Sequence, residues 1–219
     1  MKKDKIRAIA ITGMITAVAF LITFVFRFKV SFLTFDFKDA FIALLALMYG
    51  PLYGVASAAI VALLEFLTVS DTGVYGLIMN FLASGTFALV CGIIYKYKRT
   101  FSGAILSLVF AAISVVAVMV TANIFITPFY MGVPRSTVIP MIVPLLLPFN
   151  IAKTVMNASS TLLLYKPVTS ALKKMNILPK GEGTKNSLRS VILAVVAILI
   201  IVLTVLFLTL KLNGVFQVF

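Results

Sequence analysis

Six charge-free apolar runs constrain this chain more than anything else in it: Ala8–Phe26, Ala40–Leu64, Thr72–Tyr95, Phe101–Pro134, Ser136–Ala152 and Ser190–Leu210. Each is near or above the roughly 20 residues that carry a helix across a bilayer. They are too long for strands and lack a period of two, so strands are the weaker reading. With 62% hydrophobic residues in 219, a soluble domain would have too little interior to hide them. The mean hydropathy of +1.17 points the same way. The expected fold class is an all-α polytopic membrane protein, multi-pass in the cell membrane.

The basic residues give the expected orientation. Lys2, Lys3, Lys5 and Arg7 precede the first run, Lys96, Lys98 and Arg99 follow the third, and six more lie between Lys166 and Arg189. Thirteen of the nineteen Lys and Arg therefore fall in three clusters, the pattern of cytoplasmic segments. A nucleic-acid surface would instead need a continuous basic patch with interleaved aromatics, so the formal charge of +13 does not imply a nucleic-acid partner. The first run is too long for a signal-peptide core and ends in bulky FVFRFKV, so it is expected to remain as a span with the N-terminus cytoplasmic.

For Lys96–Arg99 to return to the cytoplasm, the second run must fold back on itself. Gly50-Pro51 in MYGPLYG is a strong turn signal, which splits it into helices near 39–49 and 52–68. The first of these is too short to span at about 1.5 Å per residue. It must either extend back through SFLTF or lie shielded by its neighbours. Further helices are expected near 74–95, 102–126, 143–165 (running on towards Met175) and 189–210. Residues 1–178 then form a six-helix core, 179–188 a cytoplasmic linker, and 189–219 a seventh span with a short tail. No internal repeat is evident.

In this topology the remaining polar residues gather on the outer side. Asp39 edges the first outer loop and Glu65 the second. Asn80 lies one to two turns below the outer end of the fourth helix, and Asn123 sits at the outer end of the fifth. Asn150 and Lys153 occupy the outer half of the sixth. Asn150, Lys153 and Asn157 are spaced i, i+3, i+7 and share one helical face. A lysine there costs a few kcal/mol in lipid unless something satisfies it. Intramembrane asparagines serve equally as interhelical glue, and a structural pair of Lys153 with Glu65 or Asp39 stays open. Pro128, Pro134, Pro140, Pro144 and Pro148 are expected to break the helix around the fifth-to-sixth connection. Irregular backbone at such depth is tolerated where it lines a cavity or is buried in protein. Together these features favour an outward-facing small-molecule site.

The sequence argues against enzyme chemistry. It has no histidine, a single cysteine (Cys91), scattered acids, and no phosphate loop of the GxxxxGK[ST] type. No catalytic residue, metal ligand or cofactor is expected. Binding or transport is the better class.

FDFKDAFIALLALMYGPLYGVASAAIVALLEFL resembles the acid-rich loop, short helix, Gly-Pro turn and third helix of substrate-binding S components of energy-coupling-factor (ECF) transporters. GLIMNFLASGTFAL and LPFNIAKTVMNASSTLLLYK are similar to helices of the riboflavin-specific branch, and the likeness runs over about residues 5–175. The resemblance implies a six-helix core that captures riboflavin from outside and works with a transmembrane coupling protein and two ATPases on other chains. It implies that Asn150 and Lys153 hold the isoalloxazine ring, with Asn123 as a further contact. Asn80, Asp39 and Glu65 complete the candidate substrate-binding set, Glu65 facing either ligand or Lys153. Small residues on the first helix, here Gly13 and Ala17, are implied as the docking face. The seventh helix departs from the family pattern. The alternatives are an S component for another vitamin or FMN, a structural or assembly protein of the membrane, and a self-sufficient ion-coupled carrier.

Overall fold

In lipid a backbone can satisfy its polar groups within a single segment only by closing into a helix, and helices dominate the chain. The computed structural model describes residues 2–174, 188–213 and 215–217. Helix α1 (Lys2–Val25) leads into a hairpin, β1 (Arg27–Val30) and β2 (Leu33–Phe35). Then come α2 (Lys38–Tyr49), α3 (Pro51–Thr68), α4 (Gly73–Tyr97) and α5 (Phe101–Met131). A one-turn α6 (Arg135–Val138), a 3-10 turn and a π turn lead into α7 (Leu147–Lys174). After the undescribed stretch, α8 (Leu188–Leu212) ends in β3 (Val215–Gln217). The sixth and seventh helices expected from the sequence are therefore α7 and α8. The proposed linker, 179–188, lies almost wholly outside the described residues.

Six helical stretches are long and apolar enough to cross a membrane: Lys5–Val25, Pro51–Thr68, Gly73–Tyr97, Phe101–Met131, Arg135–Leu172 and Ile192–Leu212. Helix α2 is not among them. Of the two possibilities left open for it, shielding is the one observed: Ile42, Ala43, Leu44 and Leu45 are fully buried, with α1, α3, α4 and α7 packed around it. The turn after it needs Gly50, whose φ of +104° suits glycine. On the other side Gly92 lets α4 close onto this turn, since a Cβ there would sit 2.7 Å from the Pro51 Cα.

Two expectations need correction. Pro128 does not end the fifth helix near 126, because α5 continues to Met131 with Pro128 in its last turns and Gly132 in the left-handed cap. Of the remaining prolines, Pro134 lies in extended backbone before α6, Pro140 in the 3-10 turn and Pro144 in the π turn, whereas Pro148 sits in the regular first turn of α7 and breaks nothing. The connection after α1, expected as the first outer loop, is also no plain loop. It forms a three-stranded antiparallel sheet of order β2-β1-β3, in which the end of the chain pairs with β1.

Candidate functional site

Between the hairpin and the ends of α3, α4, α5 and α7 nearest to it lies a cavity of about 290 Å³. All six candidate substrate-binding residues line it: Asp39, Glu65, Asn80, Asn123, Asn150 and Lys153. Gly13 and Ala17 do not. They lie exposed on α1, away from the cavity.

The start of α2 forms the charged floor. Lys38, only 2% exposed, places its Nζ 2.8 and 2.6 Å from the two carboxylate oxygens of Glu65 and 3.4 Å from Asp36 Oδ2. Asn80 Nδ2 donates to Glu65 Oε2 at 3.0 Å, and the Ser84 hydroxyl donates to Asp39 Oδ1. Glu65 is thus the partner of Lys38 rather than of Lys153.

Lys153 is answered by the hairpin. Its Nζ donates to Asp36 Oδ2 at 3.1 Å and to the Thr34 carbonyl at 3.2 Å. A structural pair does exist, but its acid is Asp36, not the Glu65 or Asp39 considered from the sequence. One turn further along α7, Asn157 ties the same loop down. Its Oδ1 accepts from the Ala40 N–H, and its Nδ2 donates to the carbonyls of Asp36 and Lys153. Asn157 thus serves as structural glue, as was open for it. Burial alone would raise the Asp36 carboxyl, yet Lys153 and Lys38 beside it prevail and lower it to about 2.

Asn123 on α5 and Asn150 on α7 both line the cavity, in a different state. Asn123 Nδ2 donates to the Met119 carbonyl and its Oδ1 accepts from Thr127. Asn150 Nδ2 donates to the Leu146 carbonyl at 2.7 Å, while its Oδ1 has no hydrogen bond among the described residues. Each amide is oriented by its own helix and keeps capacity for a further partner. Lys153 likewise keeps one N–H beyond its two bonds.

At the mouth the Arg27 guanidinium donates twice to the Val69 carbonyl, each at 3.2 Å, and Lys29 pairs with Asp71 at 2.7 Å. The Lys29 hydrogen bond holds the Asp71 carboxyl below its usual range. Phe32 at the hairpin turn lies 6.3 Å, ring to ring, from Tyr130 at the end of α5. The lining therefore carries four cations (Arg27, Lys29, Lys38, Lys153) against four carboxylates (Asp36, Asp39, Glu65, Asp71). Apolar surface from Phe87, Val115, Met119 and Phe149 fills in between. Such a charge-balanced site, with its polar groups largely paired and apolar walls between them, suits an uncharged molecule with hydrogen-bonding edges.

Sequence reasoning missed Asp36 and Lys38 as part of this site, although it placed both in the outer loop. The one available signal was the alternation of charges in Asp36-Phe37-Lys38-Asp39 at the start of a buried helix. It missed Thr127 too, which offers no signal beyond its i+4 spacing from Asn123.

The sequence matches the family described as "ECF transporter, substrate-specific component" over residues 7–165. Riboflavin transporter RibU of Staphylococcus aureus (strain TCH60) is 32% identical over 185 residues, covering 80% of this chain and 96% of that protein. Riboflavin transporter FmnP of Bacillus subtilis (strain 168) is 29% identical over 161 residues, covering 68% and 85%. A solved structure, described as the S component of a bacterial ECF transporter, superposes with a TM-score of 0.65 at 31% identity. It covers 78% of this chain and 98% of its own.

Proposed function

Because the chain belongs to the family of substrate-specific components of ECF transporters, we propose that its cavity captures riboflavin for uptake, Asn123, Asn150 and Lys153 meeting the polar edge of the isoalloxazine ring. The observation that carries this reading is the convergence of two oriented amides and one lysine on a charge-balanced cavity in a chain whose relatives are named riboflavin transporters. An amide offers both donor and acceptor to a carbonyl/imide edge, and the ammonium adds a charged donor. The apolar walls take the ring faces. In this reading Asp39, Glu65 and Asn80 act mainly by holding the floor in shape, since each already has a partner.

The coupling protein and two ATPases sit on other chains, and the exposed small-residue track at Gly13 and Ala17 is where the coupling protein docks. The N-terminus is cytoplasmic and the cavity opens outward. A phosphorylated flavin is the poorer ligand. Lys29, Lys38 and Lys153 each face a carboxylate, and Arg27 is engaged by the Val69 carbonyl, so a phosphate would have to displace one of them.

The deciding experiment is a titration of purified protein with riboflavin and with FMN. The chain has no tryptophan, so quenching of the ligand's own fluorescence is the readout. Riboflavin is expected to bind tightly and FMN at least tenfold more weakly. Asn150→Ala and Lys153→Ala should each weaken riboflavin binding about 10- to 100-fold, the worth of one hydrogen bond to a charged or buried group. Absence of riboflavin binding to the wild type overturns the reading. Binding untouched by both substitutions moves the ligand away from α7.

A further inference from the structure

Helix α8 lies beyond the segment matched to the family, which ends at residue 165, yet it packs along α7, the helix that carries Asn150 and Lys153. Leu208, 1% exposed, is sealed into one apolar cluster with Phe28 and Phe35 of the hairpin and Phe149 and Met156 of α7. Val205 packs against the same cluster. Beyond α8, β3 adds a third strand to the free edge of β1, with Phe28 opposite Phe216 and Lys29 opposite Val215. A two-stranded hairpin alone is at best marginally stable in water, and a third strand with an apolar face changes that. This same hairpin presents the Thr34 carbonyl, and the residue just after it, Asp36, completes the seat of Lys153.

We infer that α8 and β3 form a buttress that fixes the hairpin against α7, and that Leu208 is a positioning residue for the ligand site. Its action passes through Phe28 and Phe35 to Thr34 and Asp36, and from them to the Lys153 ammonium. Leu208 itself does not line the cavity. This cluster anchors the end of β2 to α7, with the Phe35 and Phe149 rings meeting edge to face at 6.1 Å. Loss of the α8 side of the cluster frees the hairpin to lift, which weakens the hold on Lys153 without touching any polar group of the site. The structural claim stands on the packing alone, and its consequence for ligand release rests on the flavin reading above.

The test is hydrogen exchange on the full-length purified protein without ligand, followed by the rate of riboflavin release. In Leu208→Ala the amides of residues 27–35 are expected to exchange at least tenfold faster, while those of α4 and α5 keep their wild-type rates. Riboflavin should leave at least tenfold faster. Leu208→Met, which refills the space, should restore both rates, and Leu206→Ala, on the exposed face of α8, should change neither. Val205→Ala gives a smaller acceleration of the same amides and carries the test if Leu208→Ala does not fold. Unchanged hairpin exchange in both variants, or faster exchange spread evenly over the whole protein, overturns the inference. A wild type that binds no riboflavin sinks the function reading and leaves the hydrogen-exchange result to decide this one.

Discussion

Asp36 sits where burial and charge oppose each other, and charge wins. Its carboxyl is held at about 2, below its ordinary value of 3.8, so the folded protein binds fewer protons there than the unfolded chain. The stability this contributes is present above about pH 4 and is lost as the pH falls towards about 2. It amounts to about 2 kcal/mol. Asp36 should therefore contribute a fall in the thermal stability of the wild type as the pH drops from 5 to 2. Asp36→Asn should start less stable at pH 6, because Lys153 and Lys38 lose an anionic partner, and then show a shallower fall. Parallel slopes in the two proteins would show that Asp36 is not the titrating group. The shared face of Asn150, Lys153 and Asn157 was legible because helical spacing is local. The partner of Lys153 was not, since 117 residues separate it from Asp36 and no periodicity links them. The same holds for Lys38 and Glu65, 27 residues apart across the buried turn.

Among the elements, the ones read most closely from the sequence were those that punctuation delimits. Gly50-Pro51 separates α2 from α3, and the charge-free runs bound α4 and α8 to within a few residues and mark the end of α1, whose start lies back among its basic residues. The hairpin escaped because its strands are only four and three residues long, flanked by apolar segments, and stabilised by a strand from the far end of the chain. Pro128 misled because it removes only one hydrogen bond, that of its own missing N–H, and the helix carries on past it to Met131, where Gly132 caps it. Helix α1 offers a test at this scale. Gly13 faces open space, with nothing within 4 Å of where its Cβ would lie, and Ala17 is exposed on the next turn. Close helix–helix approach in membranes uses such small residues. Gly13→Trp or Ala17→Trp should therefore leave riboflavin affinity at its wild-type value while abolishing vitamin uptake in cells that hold the ATPases. Uptake that survives both substitutions, or binding lost in both, removes the docking role from this face.

At the scale of the whole molecule the two ends differ in kind. Around the cavity lie the hairpin, the α3–α4 connection, the end of α5 and the irregular turns before α7, and the polar groups there pair with one another. At the opposite end the α2–α3 turn meets Lys96 and Arg99, and α7 runs past Tyr95, whose hydroxyl lies 2.6 Å from that of Tyr165. Helix α1 begins at this second end, and Lys166 and Lys174 follow Tyr165 on α7, so these basic residues gather opposite the cavity. Because basic flanks stay in the cytoplasm, this asymmetry is what supports the proposed outward orientation of the cavity. The orientation can be read with single cysteines. Cys91 is buried and should give little background, whereas Ser136 and Arg99 are exposed at opposite ends. In intact cells a membrane-impermeant maleimide should label Ser136→Cys within minutes and leave Arg99→Cys untouched until the cells are permeabilised. The reverse pattern would turn the cavity to the cytoplasm, and capture from outside would fail with it, however tightly the purified protein held the flavin.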